Sequence, residues 1–121
     1  MPSAKHQSLV RLVTEGPGVL SAVLALVGID VPDDLELQPG PDAVRYRGTN
    51  DYVADGTIVG HGVVGRGARK AREAFIVEAQ LNPHASKSFT WPLYVVVVRH
   101  RLRCRTTLVV LTDSDSVARW A

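Results

Sequence analysis

The sequence feature that most constrains the fold is an apolar run, residues 74–77, that ends by presenting a carboxylate at Glu78 and an amide at Gln80. Strand residues two apart point to the same face, so these two side chains are predicted to project together from the end of a buried strand. A second run, residues 52–59, holds Asp55 in a similar apolar setting. Two acids on neighbouring buried strands repel each other and are costly to bury. A cation between them would offset both effects.

Length, composition and cysteine usage limit the class of protein. The chain has 121 residues and an apolar share of 45%, which predicts one domain, residues 1–121, with a modest core. The lone Cys104 excludes an internal disulfide and a cysteine-based zinc site, and it fits a reducing cytoplasm. The longest apolar run without a charge, residues 16–29, is interrupted by Pro17 and Gly18 and is short for a bilayer span. We therefore expect a cytoplasmic protein that does not enter a membrane.

Positive charge is concentrated in two segments of the chain. The net charge of +2 and the pI near 9.0 are weak indications of a polyanionic partner by themselves. The first basic segment contains Arg66, Arg69, Lys70 and Arg72, and the second contains Arg99, His100, Arg101, Arg103 and Arg105. The first segment has two open interpretations: a solvated hairpin tip, or a set of contacts to phosphates that would make nucleic-acid binding salt-dependent.

Apolar spacing predicts two opening helices followed by a sheet. Residues 3–15 and 19–27 carry apolar side chains at helical intervals, and Gly28 provides a stop. Alternation on either side of a Pro-Gly turn predicts an edge hairpin, and the glycine-rich segment 60–67 predicts a loop that also holds His61 and the first basic segment. The hairpin covers residues 35–37 and 44–47; the later elements are the strand that ends near Gln80, a helix over 88–104, a strand over 107–112 and a helix over 115–120.

The segment 88–104 requires a choice between helix and strand. Four consecutive valines at 95–98 favour a strand. Trp91, Tyr94 and Val98 nevertheless follow helical spacing, and Pro92 is placed where a first helical turn would tolerate it. The spacing therefore predicts a helix, and the resulting strand-helix-strand unit predicts a parallel pair with a right-handed crossover.

Taken with Asp55 and Glu78, the segment 87–94, Lys-Ser-Phe-Thr-Trp-Pro-Leu-Tyr, carries a family resemblance. The chain resembles actinobacterial proteins related to the Rpn group, the recombination-promoting nucleases or putative transposases of the PD-(D/E)XK, restriction-endonuclease-like superfamily. The resemblance covers most of the chain and is strongest over residues 52–121. It implies an α/β fold with an αβββαβ core, in which a mixed central sheet is flanked by helices.

The resemblance also implies a metal site. Asp55 and Glu78 correspond to the two carboxylates that bind Mg²⁺ or Mn²⁺ in the superfamily, and the main-chain carbonyl of Ala79 would supply another oxygen. Glu15, at the end of the first helix, would help to hold a second metal ion or a water. Gly56 stands where relatives favour a β-branched or aliphatic residue.

Two further positions are implied to act in catalysis. Gln80 stands where many relatives carry a lysine that neutralises the phosphate or orients the attacking water. Glutamine can hydrogen-bond a water but brings no charge. Lys87, at the entry to the following helix, is the candidate substitute for that charge.

The function implied by these residues is Mg²⁺-dependent hydrolysis of DNA phosphodiesters, with a homodimer expected because cutting both strands needs two sites. A catalytically inactive nuclease-fold domain that binds nucleic acid or a protein partner stays open. So does an unrelated α/β protein whose acids are structural. Surface positions are favoured for Glu15 and for the four scattered histidines, His6, His61, His84 and His100.

Overall fold

A four-stranded mixed sheet with helices on both faces forms the framework of the computed structural model. The structure describes residues 4–40, 55–64, 67–82 and 85–121. Its elements are α1 (Ala4–Thr14), α2 (Pro17–Leu26), β1 (Glu36–Pro39), β2 (Gly56–Val64), β3 (Ala68–Ala79), α3 (Lys87–Leu102), β4 (Arg105–Leu111) and α4 (Asp115–Trp120). The predicted mixed α/β class is confirmed.

The sheet has the strand order β1-β2-β3-β4. The pairs β1–β2 and β2–β3 are antiparallel, whereas β3 and β4 are parallel and are joined through α3. The predicted parallel pair and the predicted helix across residues 88–104 are therefore confirmed. Pro92 lies inside α3 beyond its first turn, so the carbonyl of Ser88 lacks the helical hydrogen bond that residue 92 would otherwise donate.

The second half of β3, residues 74–79, is buried on both faces, which explains its nearly continuous apolar sequence. On one face, Ala74 and Ile76 pack with Trp91, Tyr94 and Val98 of α3. On the other face lies a second cluster, which joins strand residues to the two opening helices. Its buried members are Val13, Leu20, Leu24, Ile58, Phe75 and Val77.

The two opening helices are confirmed, with one difference in their apolar surface. Val13 is buried against the sheet, but Leu12, which belongs to the same predicted stripe, is 59% exposed. Gly28 adopts a φ of 81° just after α2, the left-handed conformation that favours glycine at a helix end. No described helix is long and apolar enough by itself to cross a bilayer; Ala4–Thr14 and Gly18–Leu26 reach that length and composition only as a pair bent by 100°.

The predicted loop, which begins at Gly60 and holds the first basic segment, is wrong for most of its length, because β2 continues through Gly60 and Gly62 to Val64 and β3 begins at Ala68. These glycines make room for neighbouring side chains. A Cβ at Gly60 would lie 3.2 Å from Leu37, and one at Gly62 would lie 2.9 Å from Leu35. A register shift at Gly60/His61 marks the same place. The predicted strand over 44–47 and the start of the Asp55 run at 52–54 lie outside the described residues.

Helix α1 packs against β2 at Gly56. A Cβ added there would lie 2.5 Å from Cγ2 of Thr14. The Thr14 hydroxyl donates a hydrogen bond of 2.8 Å to the carbonyl of Val10, which holds the Thr14 methyl towards the strand. This contact accounts for a glycine in the first position of β2.

We expect Gly56→Ala to lower the free energy of unfolding by about 1–3 kcal/mol, because the new methyl overlaps Thr14. The double variant Gly56→Ala with Thr14→Ser should recover most of that loss, since serine keeps the hydroxyl and removes the methyl. Urea unfolding of both variants and of Thr14→Ser alone measures the effect. Equal stability of the single and double variants would contradict this packing account.

Candidate functional site

Asp55 and Glu78 lie side by side where β2 begins and β3 ends. The ladder between these strands closes with Gly56 opposite Val77, so one further step places Asp55 opposite Glu78. Beyond Gly56 the contact between the two segments is made by the Asp55 side chain, whose Oδ2 accepts a hydrogen bond of 2.9 Å from the backbone N–H of Ala79. The two predicted acids are therefore brought together at one edge of the sheet.

The Glu78 carboxylate is buried, with only 1% of the residue exposed. Its Oε2 lies 3.7 Å from the Lys87 ammonium at the start of α3. Its Oε1 has no hydrogen-bond partner in the part of the chain that the structure describes. Burial, followed by the charge of Asp55, raises the pKa of Glu78 to about 8, although Lys87 acts in the opposite direction.

His6 of α1 is a third group at this edge, and sequence reasoning placed it at the surface. Its Nε2 lies 3.0 Å from Oδ2 of Asp55, and both side chains are 21% exposed. The available signal was its spacing of four residues from Val10 and eight from Thr14, which puts all three on the side of α1 that faces Gly56. His6 thus helps to orient the Asp55 carboxylate.

Ala79 and Gln80 differ in what they present at this edge. In a regular strand the N–H and C=O of one residue point to the same neighbouring strand, so the Ala79 carbonyl is directed to the side where its N–H meets Asp55. Gln80 turns the other way: its backbone N–H donates to Leu111 at 2.8 Å. The side-chain amide of Gln80 donates to the carbonyl of Asn82.

Glu15 lies apart from this group of contacts. Its carboxylate is 65% exposed and pairs with Arg11, four residues earlier, at 3.1 Å. In the described portion of the chain, no three His, Cys, Asp or Glu side chains form a group that could hold a metal ion. A cation at this edge would therefore depend on Asp55, Glu78, main-chain oxygen and water.

The first basic segment lies on the opening residues of β3, and most of its described charge is paired. Arg69 pairs with Glu36, and Arg72 lies 2.7 Å from Asp34. Lys70 is exposed and makes no ion pair with any residue in the described ranges. Arg66 lies outside the described residues.

Comparisons of the chain with protein-family models, with curated proteins and with solved structures found no match. The function of the chain is therefore inferred from the geometry at the adjoining ends of β2 and β3. That geometry joins two carboxylates, one histidine and one lysine.

The donor set at this edge fits a hard divalent cation. Mg²⁺ prefers carboxylate and carbonyl oxygens and retains several waters, so it needs few protein ligands. Glu78 offers a buried oxygen that has no hydrogen-bond partner among the described residues, and Asp55 adds a second carboxylate close enough to raise the pKa of Glu78. A bound cation would stabilise both carboxylates in their charged form.

The raised pKa of Glu78 predicts that the metal-free chain loses stability as pH rises. Between the ordinary pKa of 4.5 and about 8, the folded chain keeps a proton that the unfolded chain releases. The free energy of unfolding should therefore fall with pH in this window, by up to about 1.4 kcal/mol per pH unit. Glu78→Gln stays neutral and should remove this slope.

Urea unfolding in EDTA between pH 5 and pH 9 provides the measurement. Asp33→Asn, which removes an exposed carboxylate from the turn before β1, is the control and should keep the wild-type slope. Parallel profiles for the wild type and Glu78→Gln would show that Glu78 does not retain its proton in the folded chain.

Proposed function

We propose that this chain is a metal-dependent DNA endonuclease of the Rpn type, within the PD-(D/E)XK superfamily. The observation that carries the proposal is the meeting of Asp55 and Glu78 at the adjoining ends of β2 and β3, with Lys87 beside Glu78. A buried acid, a half-buried acid and a lysine at the ends of adjoining strands are the groups that this chemistry requires.

The arrangement of the sheet supports the same assignment. Three strands in antiparallel succession, followed by a helix and a fourth strand parallel to the third, fit the αβββαβ core of the superfamily. Helix α1 fits the leading helix of that core and contributes His6 to the sheet edge. We therefore assign a restriction-endonuclease-like core to residues 1–121.

Each residue at this place would have a role that follows from its chemical type. Asp55, Glu78 and the Ala79 carbonyl would hold Mg²⁺ or Mn²⁺, which supplies charge stabilisation at the phosphate and lowers the pKa of a bound water. Lys87 would supply the positive charge that Gln80 lacks. Its ammonium lies 3.7 Å from Oε2 of Glu78. His6 is a positioning residue, since it contacts Asp55.

Metal affinity should depend on pH through Glu78. A carboxylate must lose its proton before it can bind a cation. Because burial and Asp55 raise the pKa of Glu78 to about 8, the cation competes with a proton at neutral pH. Affinity is therefore expected to increase as pH rises towards 8.

A second function is favoured by the contacts of Asp55 and Gln80. Oδ2 of Asp55 is already engaged by Ala79 and His6, and the Gln80 amide is directed to Asn82. These contacts suit a catalytically inactive domain that keeps the nuclease fold and binds nucleic acid or a protein partner.

The nuclease proposal also includes a homodimer and a cytoplasmic location, and the single cysteine supports the location.

Plasmid cleavage in Mg²⁺ or Mn²⁺ tests the nuclease proposal. We expect Asp55→Ala and Glu78→Gln to reduce cleavage roughly 100-fold or more, and Lys87→Met to reduce it roughly 10- to 100-fold, since each change removes fixed charge from the reacting centre. Asp33→Asn, the matched surface carboxylate, should cleave like the wild type. Mn²⁺ titration calorimetry should show weakened binding for the first two variants only.

Two other outcomes would decide against the nuclease. A wild-type chain that binds DNA in a salt-sensitive manner but does not cleave it with either metal supports the inactive domain. Cleavage that persists undiminished in Asp55→Ala and Glu78→Gln would remove the sheet edge from the reaction.

A further inference from the structure

A second basic surface lies at the end of the molecule opposite the Asp55–Glu78 edge. It surrounds a cavity of about 550 Å³ between the last turn of α3 and the start of β4. Because β3 and β4 are parallel and α3 runs back between them, the end of α3 is remote from the carboxyl end of β3. The cavity is lined by Val96, Arg99, His100, Arg103, Cys104 and Arg105.

Little negative charge offsets these cations. Arg105 pairs with Glu73 at 3.0 Å. Within residues 4–40, 55–64, 67–82 and 85–121, neither Arg99 nor Arg103 forms an ion pair. Burial, with a smaller contribution from Glu73, raises the pKa of the Cys104 thiol above its ordinary value, so the thiol is neutral at pH 7. The cavity wall is therefore strongly cationic.

Two of the arginines line the cavity from the end of α3. Arg99 and Arg103 are four residues apart, and the N–H of Arg103 donates to the carbonyl of Arg99 at 2.9 Å. Arg103 has a φ of 56° and a ψ of 39°, a left-handed conformation that glycine or asparagine adopts with less strain. Favourable interaction with the helix C-terminus accounts for basic residues in the last turn but gives no reason for arginine at a strained position.

We propose that the Arg99–Arg103 cavity binds phosphate groups of a nucleic acid backbone. Guanidinium groups hydrogen-bond phosphate oxygens in pairs, and such contacts do not depend on base sequence. The first basic segment differs, since Arg69 and Arg72 are paired with carboxylates, whereas Arg99 and Arg103 are not paired with any carboxylate that the structure describes.

The position of the cavity suits a duplex that also reaches the candidate cleavage site. Helix α3 has 16 residues, with Lys87 at its first position and Arg103 just beyond its last. A helix of that length spans about 24 Å, which corresponds to roughly seven base pairs of duplex. This geometric match rests on the proposed nuclease function; phosphate binding at the cavity does not.

Fluorescence anisotropy with a labelled 30-base-pair DNA duplex of mixed sequence, in EDTA, tests the proposal across a salt series. The test variant is Arg99→Gln with Arg103→Asn, because asparagine tolerates the left-handed backbone and keeps the helix end folded. The control is Lys5→Gln with Arg11→Gln, which removes the same two charges from positions paired with Asp113 and Glu15.

The test variant should bind DNA roughly tenfold or more weakly at 0.1 M salt, and its log-affinity against log-salt slope should shrink by about two units. The control should bind within about twofold of the wild type, and urea unfolding should show the test variant to be no less stable. Equal losses in both variants would assign the effect to net charge and overturn the proposal, as would no loss in either. Because EDTA excludes cleavage, the result is independent of whether the chain is a nuclease.

Discussion

Burial of the Glu78 carboxylate beside Asp55 is the constraint on which the rest of the sheet edge depends. A charged carboxylate with 1% exposure is strongly unfavourable unless a proton, a cation or a donor compensates it. Lys87 supplies part of that compensation from the start of α3, while the backbone N–H of Ala79 and His6 stabilise Asp55. These contacts compensate Asp55 more fully than Glu78, whose Oε1 has no hydrogen-bond partner among the described residues.

Apolar periodicity was sufficient to predict α3, β4, the second half of β3 and the parallel strand pair, because each contains a long apolar run that packs into the core. The same approach failed at Gly60 and Gly62. Glycines so close together are typical of a turn, but here they leave space in a strand for the side chains of Leu35 and Leu37. Glycine in a strand is determined by what packs on it from other elements, and that information is absent from the local sequence.

The candidate site was predictable to the same degree. Asp55 and Glu78 each end or begin an apolar run, so their patterns predict convergence, and Lys87 follows from its place at the helix entry. The contact of His6 with Asp55 and the pairing of Arg72 with Asp34 join residues far apart in sequence, so local spacing indicates the face on which each residue lies but not its partner. Glu15 illustrates the reverse case, because a local partner at Arg11 accounts for it.

The connectivity of the sheet also sets an order in which the site can assemble during folding. The β2–β3 hairpin brings Asp55 to Glu78, and Lys87, which follows Glu78 closely in the chain, reaches it when α3 packs on β3, whereas His6 comes from α1, far earlier in the sequence. Loop-closure entropy delays such non-local pairing. A newly formed hairpin therefore holds its two acids before the histidine of α1 reaches Asp55, and acidic conditions that keep one carboxyl protonated should favour its early formation.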